Sequence, residues 1–120
     1  MHFRLTFAIL LAVLASALAF DGDGTYYNVG LGACGQYNNN NQLVAALNKP
    51  QFGSSPGGNP NHNPNCGRQA LVHGPKGQVQ VTIVDMCPAC GWGSLDLSPA
   101  AFSKIADMAQ GRVHITWDWV

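Results

Sequence analysis

The sequence predicts a mainly β domain, a small closed barrel of many short strands with one short helix. Three patterns carry that expectation. In QVQVTIVD, residues 78–85, Val79, Val81 and Ile83 alternate with Gln78, Gln80 and Thr82, the period of two that marks a half-buried strand. In residues 113–119, Val113, Ile115, Trp117 and Trp119 alternate with His114, Thr116 and Asp118 in the same way. Between these strands, Ser98-Pro99 opens a helical pattern, with Ser98 as N-cap and Pro99 at the first helical position.

Taken in order, the chain begins with a weakly basic start, His2 and Arg4, then the apolar run FAILLAVLASALAF and the small-x-small site Ala17-Leu18-Ala19. This is the three-part pattern of a secretory signal peptide over residues 1–19. The run is shorter than the ~20 apolar residues a spanning helix needs. The expected mature domain covers residues 20–120. Its first segment, residues 21–29, opens with Gly-rich punctuation and continues as GTYYNV, a strand in which Tyr26 and Tyr27 point to opposite sides. LVAAL, residues 43–47, is ambiguous between a strand and a helical turn. Residues 48–65 contain four prolines and three glycines and are expected to be loop, either functional or partly disordered. Residues 68–73 and 78–85 flank GPKG and form a hairpin. GWGSLDLS reads as a turn and a short strand. Phe102, Ile105 and Ala106 give the helix an apolar stripe, and Gly111 is expected to stop it.

Composition narrows the function classes. Lys+Arg 6 and Asp+Glu 6 balance to a formal net charge of +0, with only 10% of residues charged. Neither a nucleic-acid footprint nor a basic membrane-facing surface follows from such a balance. All acidic residues are aspartates, which excludes mechanisms that require a glutamate. No cofactor motif or metal-ligand set stands out, and the domain is expected to act as a monomer.

Cys34, Cys66, Cys87 and Cys90 form an even set, read in an exported chain as two disulfides with three possible connectivities. Glycines beside Cys34 and Cys66 favour Cys34–Cys66 with Cys87–Cys90, without fixing the connectivity. A thioredoxin-like use of Cys87-Pro88-Ala89-Cys90 would need a helix after the first cysteine, where a turn and strand are expected instead. A zinc site with His62 or His73 lacks the second paired spacing.

The run VTIVDMCPACGWGSLDLSPAAFSKIADMAQGRVHITWDW, together with GTYY, GACG and NCGRQ, resembles the double-psi β-barrel domain of expansins, barwin and the RlpA-like proteins. It is most similar to small secreted single-domain members, including the papain-inhibitor type and fungal relatives labelled riboflavin-aldehyde-forming enzyme. The resemblance covers essentially all of residues 20–120 and implies a six-stranded double-psi β-barrel with one short helix and two disulfides. It also implies that Asp85, Asp96, Thr25 and Tyr26 line a groove that receives a glucan chain. In related barrel endoglucanases the Asp at the Asp96 position is the general acid, and the base position falls near Asn28. An amide cannot take a proton from an attacking water; Asp85 is a substitute base in principle, but its place in the family is supportive, so Asp96 is the catalytic candidate, as an acid, and no confident catalytic set results. The lytic transglycosylase branch relies on a glutamate.

Other residues carry competing structural readings. Asp85 and Asp96, at strand ends, are equally suited to accepting loop N–H groups. Trp92 in CGWG is the aromatic most expected at the surface, where it could stack on a sugar. Trp117 and Trp119 share one strand face and are expected in the core, and His73 and His114 are expected to be structural. The leading functional expectation is a secreted, non-hydrolytic, expansin-like module that binds cell-wall polysaccharide such as cellulose, chitin or another glucan. Its groove would use Thr25, Tyr26, Asp85 and Asp96, with Trp92 at the rim. The alternatives are an inhibitor of papain-like cysteine proteases acting through loops 51–65 and 88–93, and a weak glycan-cleaving enzyme. A flavin oxidase lacks any cofactor motif.

Overall fold

The computed structural model describes residues 19–120; nearly all of the expected signal peptide lies outside the described residues. Six strands close into a barrel: β1 Phe20–Tyr26, β2 Val44–Asn48, β3 Gln69–Gly74, β4 Gly77–Cys87, β5 Leu95–Leu97 and β6 Arg112–Trp119. Around the barrel their order is β1-β5-β2-β4-β3-β6. β1 runs parallel to β5 and β2 parallel to β4, while the other four neighbouring pairs are antiparallel. Two helices accompany the strands, α1 Lys49–Phe52 and α2 Pro99–Ile105.

The alternation in β4 and β6 turns Val79, Val81, Ile83, Val113, Ile115 and Trp117 into the barrel, where they meet Leu47, Leu95 and Leu97. α2 closes one side of this core with Phe102 and Ile105, both fully buried. Ser98 caps it as expected, its hydroxyl accepting from the Ala101 N–H. α2 ends at Ile105, short of Gly111; a separate 3-10 turn over Met108–Gln110 follows, and Gly111 caps that turn instead. All of LVAAL but Leu43, which is exposed, falls in strand β2; the strand is buried along its whole length because it is hydrogen-bonded on both sides and covered on both faces.

Two further local features differ from the sequence expectation. β1 starts at Phe20, so Gly22 and Gly24 lie inside a strand rather than before one. Close approach explains both glycines. A Cβ on Gly22 would sit 2.4 Å from the Gly93 carbonyl carbon, and one on Gly24 would sit 2.8 Å from Ile115 Cγ2. The loop after β2 is also more structured than its composition implies. Asn48 caps α1, Asn63 is buried and donates to the Phe52 carbonyl at 2.9 Å, and Asn65 donates to the Gln51 and Phe52 carbonyls. Asparagine side chains supply the partners that a sheet would otherwise give this backbone.

The disulfides are Cys34–Cys66 and Cys87–Cys90. The first crosslinks positions 32 residues apart and packs against the core, whereas the second spans three. Loop-closure entropy makes the long link worth ~3–4 kcal/mol and the short one about half that. Replacing Cys34 and Cys66 by serine should therefore lower the midpoint of chemical denaturation far more than replacing Cys87 and Cys90. Equal losses in the two double variants would contradict this division.

Candidate functional site

Register determines which side chains meet on the outside of the barrel. Arg112 pairs with Thr25 across β6 and β1, Thr25 with Asp96 across β1 and β5, Asp96 with Ala46, and Ala46 with Asp85. One row thus crosses five strands, with side chains on the same face. Two residues earlier on β1, Asp23 points to that face as well. Its Oδ2 receives a bond of 2.9 Å from Arg112 Nη1, and its backbone N–H donates to Ser94 Oγ at 3.0 Å.

The Arg112 end of the row opens into a cleft of about 450 Å³. Asp23, Thr25, Tyr26, Ser94, Asp96 and Arg112 line its polar part, and the Cys87–Cys90 loop forms the opposite wall. Thr25 donates its hydroxyl to Asp96 Oδ1 at 2.9 Å. Tyr26 stands at one end, 37% exposed, with its ring 4.8 Å from Phe102 and its hydroxyl donating to the Met108 carbonyl. Burial of Asp96 pushes its carboxyl above the ordinary carboxylate range, and the nearby Asp85 adds to that rise. The Thr25 hydroxyl and the Arg112 guanidinium pull the other way and only partly compensate.

Of the residues singled out in the sequence, the structure brings Thr25, Tyr26 and Asp96 together in this cleft. Asp85 is in the same row, two strand spacings and about 10 Å from Asp96 between Cα atoms, but it is not among the lining residues. Its Oδ1 accepts the N–H groups of Ala33 and Met86, both at 2.8 Å, and its Oδ2 faces the Tyr27 hydroxyl at 3.4 Å. Asp85 thus anchors the turn around Cys34. Tyr27, half-buried beside both aspartates, has its phenol held strongly in the protonated form, first by burial and then by their charges. Trp92 is 63% exposed, with its ring edge-on to Phe20 at 6.4 Å, and it too is outside the cleft lining.

The remaining aromatics and histidines divide as follows. Trp117 is fully buried, its indole N–H donating to the Gly93 carbonyl, while Trp119 is only partly covered and carries Arg68 over its ring at 3.7 Å. His73 and His114 are exposed on the β3 and β6 surface, His114 within 2.7 Å of Asp21. Asn28 is exposed and accepts from Asn40. Sequence reasoning missed Asp23 and Arg112. The alternation of GDGT and RVHIT places them on outer faces, but only the β1–β6 register makes them neighbours. Among the described residues no group of three or more His, Cys, Asp or Glu side chains is arranged to hold a metal ion, and no helix is long and apolar enough to cross a membrane.

The raised Asp96 pKa has a stability consequence. The folded protein retains the Asp96 proton at pH values where the unfolded chain has lost it, so this group's contribution falls as pH rises through that window. Asp96→Asn keeps an acceptor for Thr25 and removes the charge. It should be at least as stable as the wild type at pH 7, with the difference shrinking as pH falls below the carboxylate range. Thermal denaturation across pH would check this, and a large loss of stability at pH 7 would contradict it.

Comparison with known proteins places the chain. The double-psi β-barrel family model described as lytic transglycolase matches residues 19–117. A papain inhibitor of Streptomyces mobaraensis is 36% identical over 103 residues, 82% of this chain and 70% of its own length. Expansin-YoaJ of Bacillus subtilis is 48% identical over 52 residues, which are 43% of this chain and only 22% of that expansin. Among solved structures, a Streptomyces papain inhibitor superposes with a TM-score of 0.77 at 34% identity, covering 86% of this chain and 94% of that one. A mutant Clavibacter michiganensis expansin in complex with cellohexaose gives 0.74 at 27% identity, covering 86% of this chain and 50% of that one.

Proposed function

Since the chain belongs to the RlpA-like double-psi β-barrel family, we propose that it is an exported, expansin-like module that binds cell-wall polysaccharide without cleaving it. The observation that carries this reading is the cleft, where Arg112, Thr25 and Asp96 stand in register and Tyr26 completes the lining. An open groove with a donor, a hydroxyl and a carboxylate on successive strands suits the hydroxyl edges of sugar rings. The two disulfides fit an oxidising, extracellular setting. A structural relative crystallised with cellohexaose supports the ligand class.

The same residues support the reading of binding without hydrolysis. An inverting glycosidase needs a second carboxylate that activates a water opposite the acid. Asn28 is an amide, Asp85 is engaged by Ala33, Met86 and Tyr27, and Asp23 is turned to Arg112. The family model's description names a lytic activity, yet the chain contains no glutamate.

Inhibition of a papain-like cysteine protease is the second reading. One observation favours it: the chain spans 94% of the papain-inhibitor structure but 50% of the expansin structure. The loop closed by Cys87–Cys90 exposes Pro88 and Ala89, and a loop already held by a crosslink loses little entropy on docking.

A sedimentation assay of the oxidised protein on cellulose, chitin and isolated cell wall separates the two. The polysaccharide reading expects retention on at least one polymer, weakened about tenfold by Asp96→Ala or Tyr26→Ala, the loss expected of one good contact. Absence of retention on all of them, with inhibition of papain that survives both substitutions, would replace it with the inhibitor reading.

A further inference from the structure

We propose that the polymer held in the cleft carries protonated amino groups, as in a deacetylated amino-sugar chain, with one ammonium paired to Asp96. The inference rests on the polysaccharide reading of the same cleft and names its ligand more closely. Its basis is an imbalance of partners around Asp96. From β1, Thr25 donates to Oδ1 and Asp23 contributes a second carboxylate; from β6 comes Arg112, already bonded to Asp23 at 2.9 Å. β2 offers only Ala46, and β4 brings the carboxylate of Asp85 together with the Cys87 sulfur, which is in a disulfide. Tyr27 adds a neutral phenol.

Asp96 Oδ2 therefore has no protein partner among the described residues, and the polar cleft has two carboxylates against one guanidinium. A neutral sugar hydroxyl can donate to Oδ2 but leaves the charge uncompensated. A uronic acid would add a third negative charge. An ammonium supplies both donor and charge, and charge-assisted bonds are roughly twice as strong as neutral ones.

The pairing requires an ionised Asp96 and a protonated amine, so affinity should follow a bell in pH. Its acidic limb belongs to Asp96, which burial shifts above the ordinary carboxylate range; its alkaline limb belongs to the ligand amine. A neutral glucan has no alkaline limb of that origin.

Calorimetric titrations of the oxidised protein with glucosamine hexamer, N-acetylglucosamine hexamer and cellohexaose, repeated across pH, test the assignment. The glucosamine hexamer should bind about tenfold more tightly than the two neutral hexamers, the worth of one charge-assisted bond in a partly open site. Asp96→Asn should abolish that preference and the bell, bringing the glucosamine hexamer to the affinity the variant shows for cellohexaose, and circular dichroism reports that the variant is folded. Equal binding of all three hexamers, or a glucosamine preference that persists in Asp96→Asn, would overturn the amino-sugar assignment and leave the polysaccharide reading standing. Failure of every hexamer to bind would overturn both.

Discussion

The backbone of β1 and the backbone entering β5 touch at Gly22 and Gly93, and the outer surface of the barrel depends on that contact. A Cβ on Gly93 would lie 2.0 Å from the Asp21 carbonyl oxygen, and one on Gly22 would meet Gly93 and the Ser94 nitrogen. Because neither residue carries a side chain, the loop after Cys90 can lie directly on β1. The buried indole of Trp117 then holds the Gly93 carbonyl from inside the barrel, and Ser94 accepts the Asp23 N–H from outside. With these points fixed, β5 can pair only in the register that brings Thr25 opposite Asp96, 71 positions away in sequence. The cleft is a consequence of this contact.

That register also sets the electrostatics. Asp96 lies near the middle of a row that runs from Arg112 to Asp85, so it has a cation on one side and a carboxylate on the other. The two aspartates resemble each other in sequence, each near a strand end. Their hydrogen bonds separate them: Asp85 receives two backbone N–H groups, while Asp96 receives one side-chain hydroxyl. A carboxylate satisfied by backbone donors is already committed to structure. One that is half-buried and underpartnered retains capacity for a ligand, which is why Asp96 and not Asp85 carries the functional reading.

Legibility in the sequence followed the physics of each segment. β4, β6 and α2 were legible because side-chain alternation and an N-cap are local signals, and the family resemblance supplied strand number and disulfide pattern. β1 was read late because glycines usually mark turns, whereas Gly22 and Gly24 serve close contacts that exist only once the barrel has closed. In LVAAL, burial on both faces of β2 erases the alternation that would have distinguished strand from helix. Thr25, Tyr26 and Asp96 were reached through motif resemblance. Asp23 and Arg112 were not, because their meeting depends on an antiparallel register between the first strand and the last.

The cleft and the long loop are also mechanically joined. Gln51, in α1, accepts from the Gly93 N–H and from Asn48 Nδ2, and Asn48 in turn donates to the Ser94 carbonyl. The same α1 segment is held from the other side by Asn65, which donates to the Gln51 carbonyl. The α1 segment thus braces both the loop of residues 53–65 and the backbone at Gly93 and Ser94, beside the cleft. Polar networks of this kind lose more than one bond when a member is removed, because the remaining groups are left without partners. A ligand in the cleft and a partner on the loops would thus bind surfaces braced by one set of hydrogen bonds.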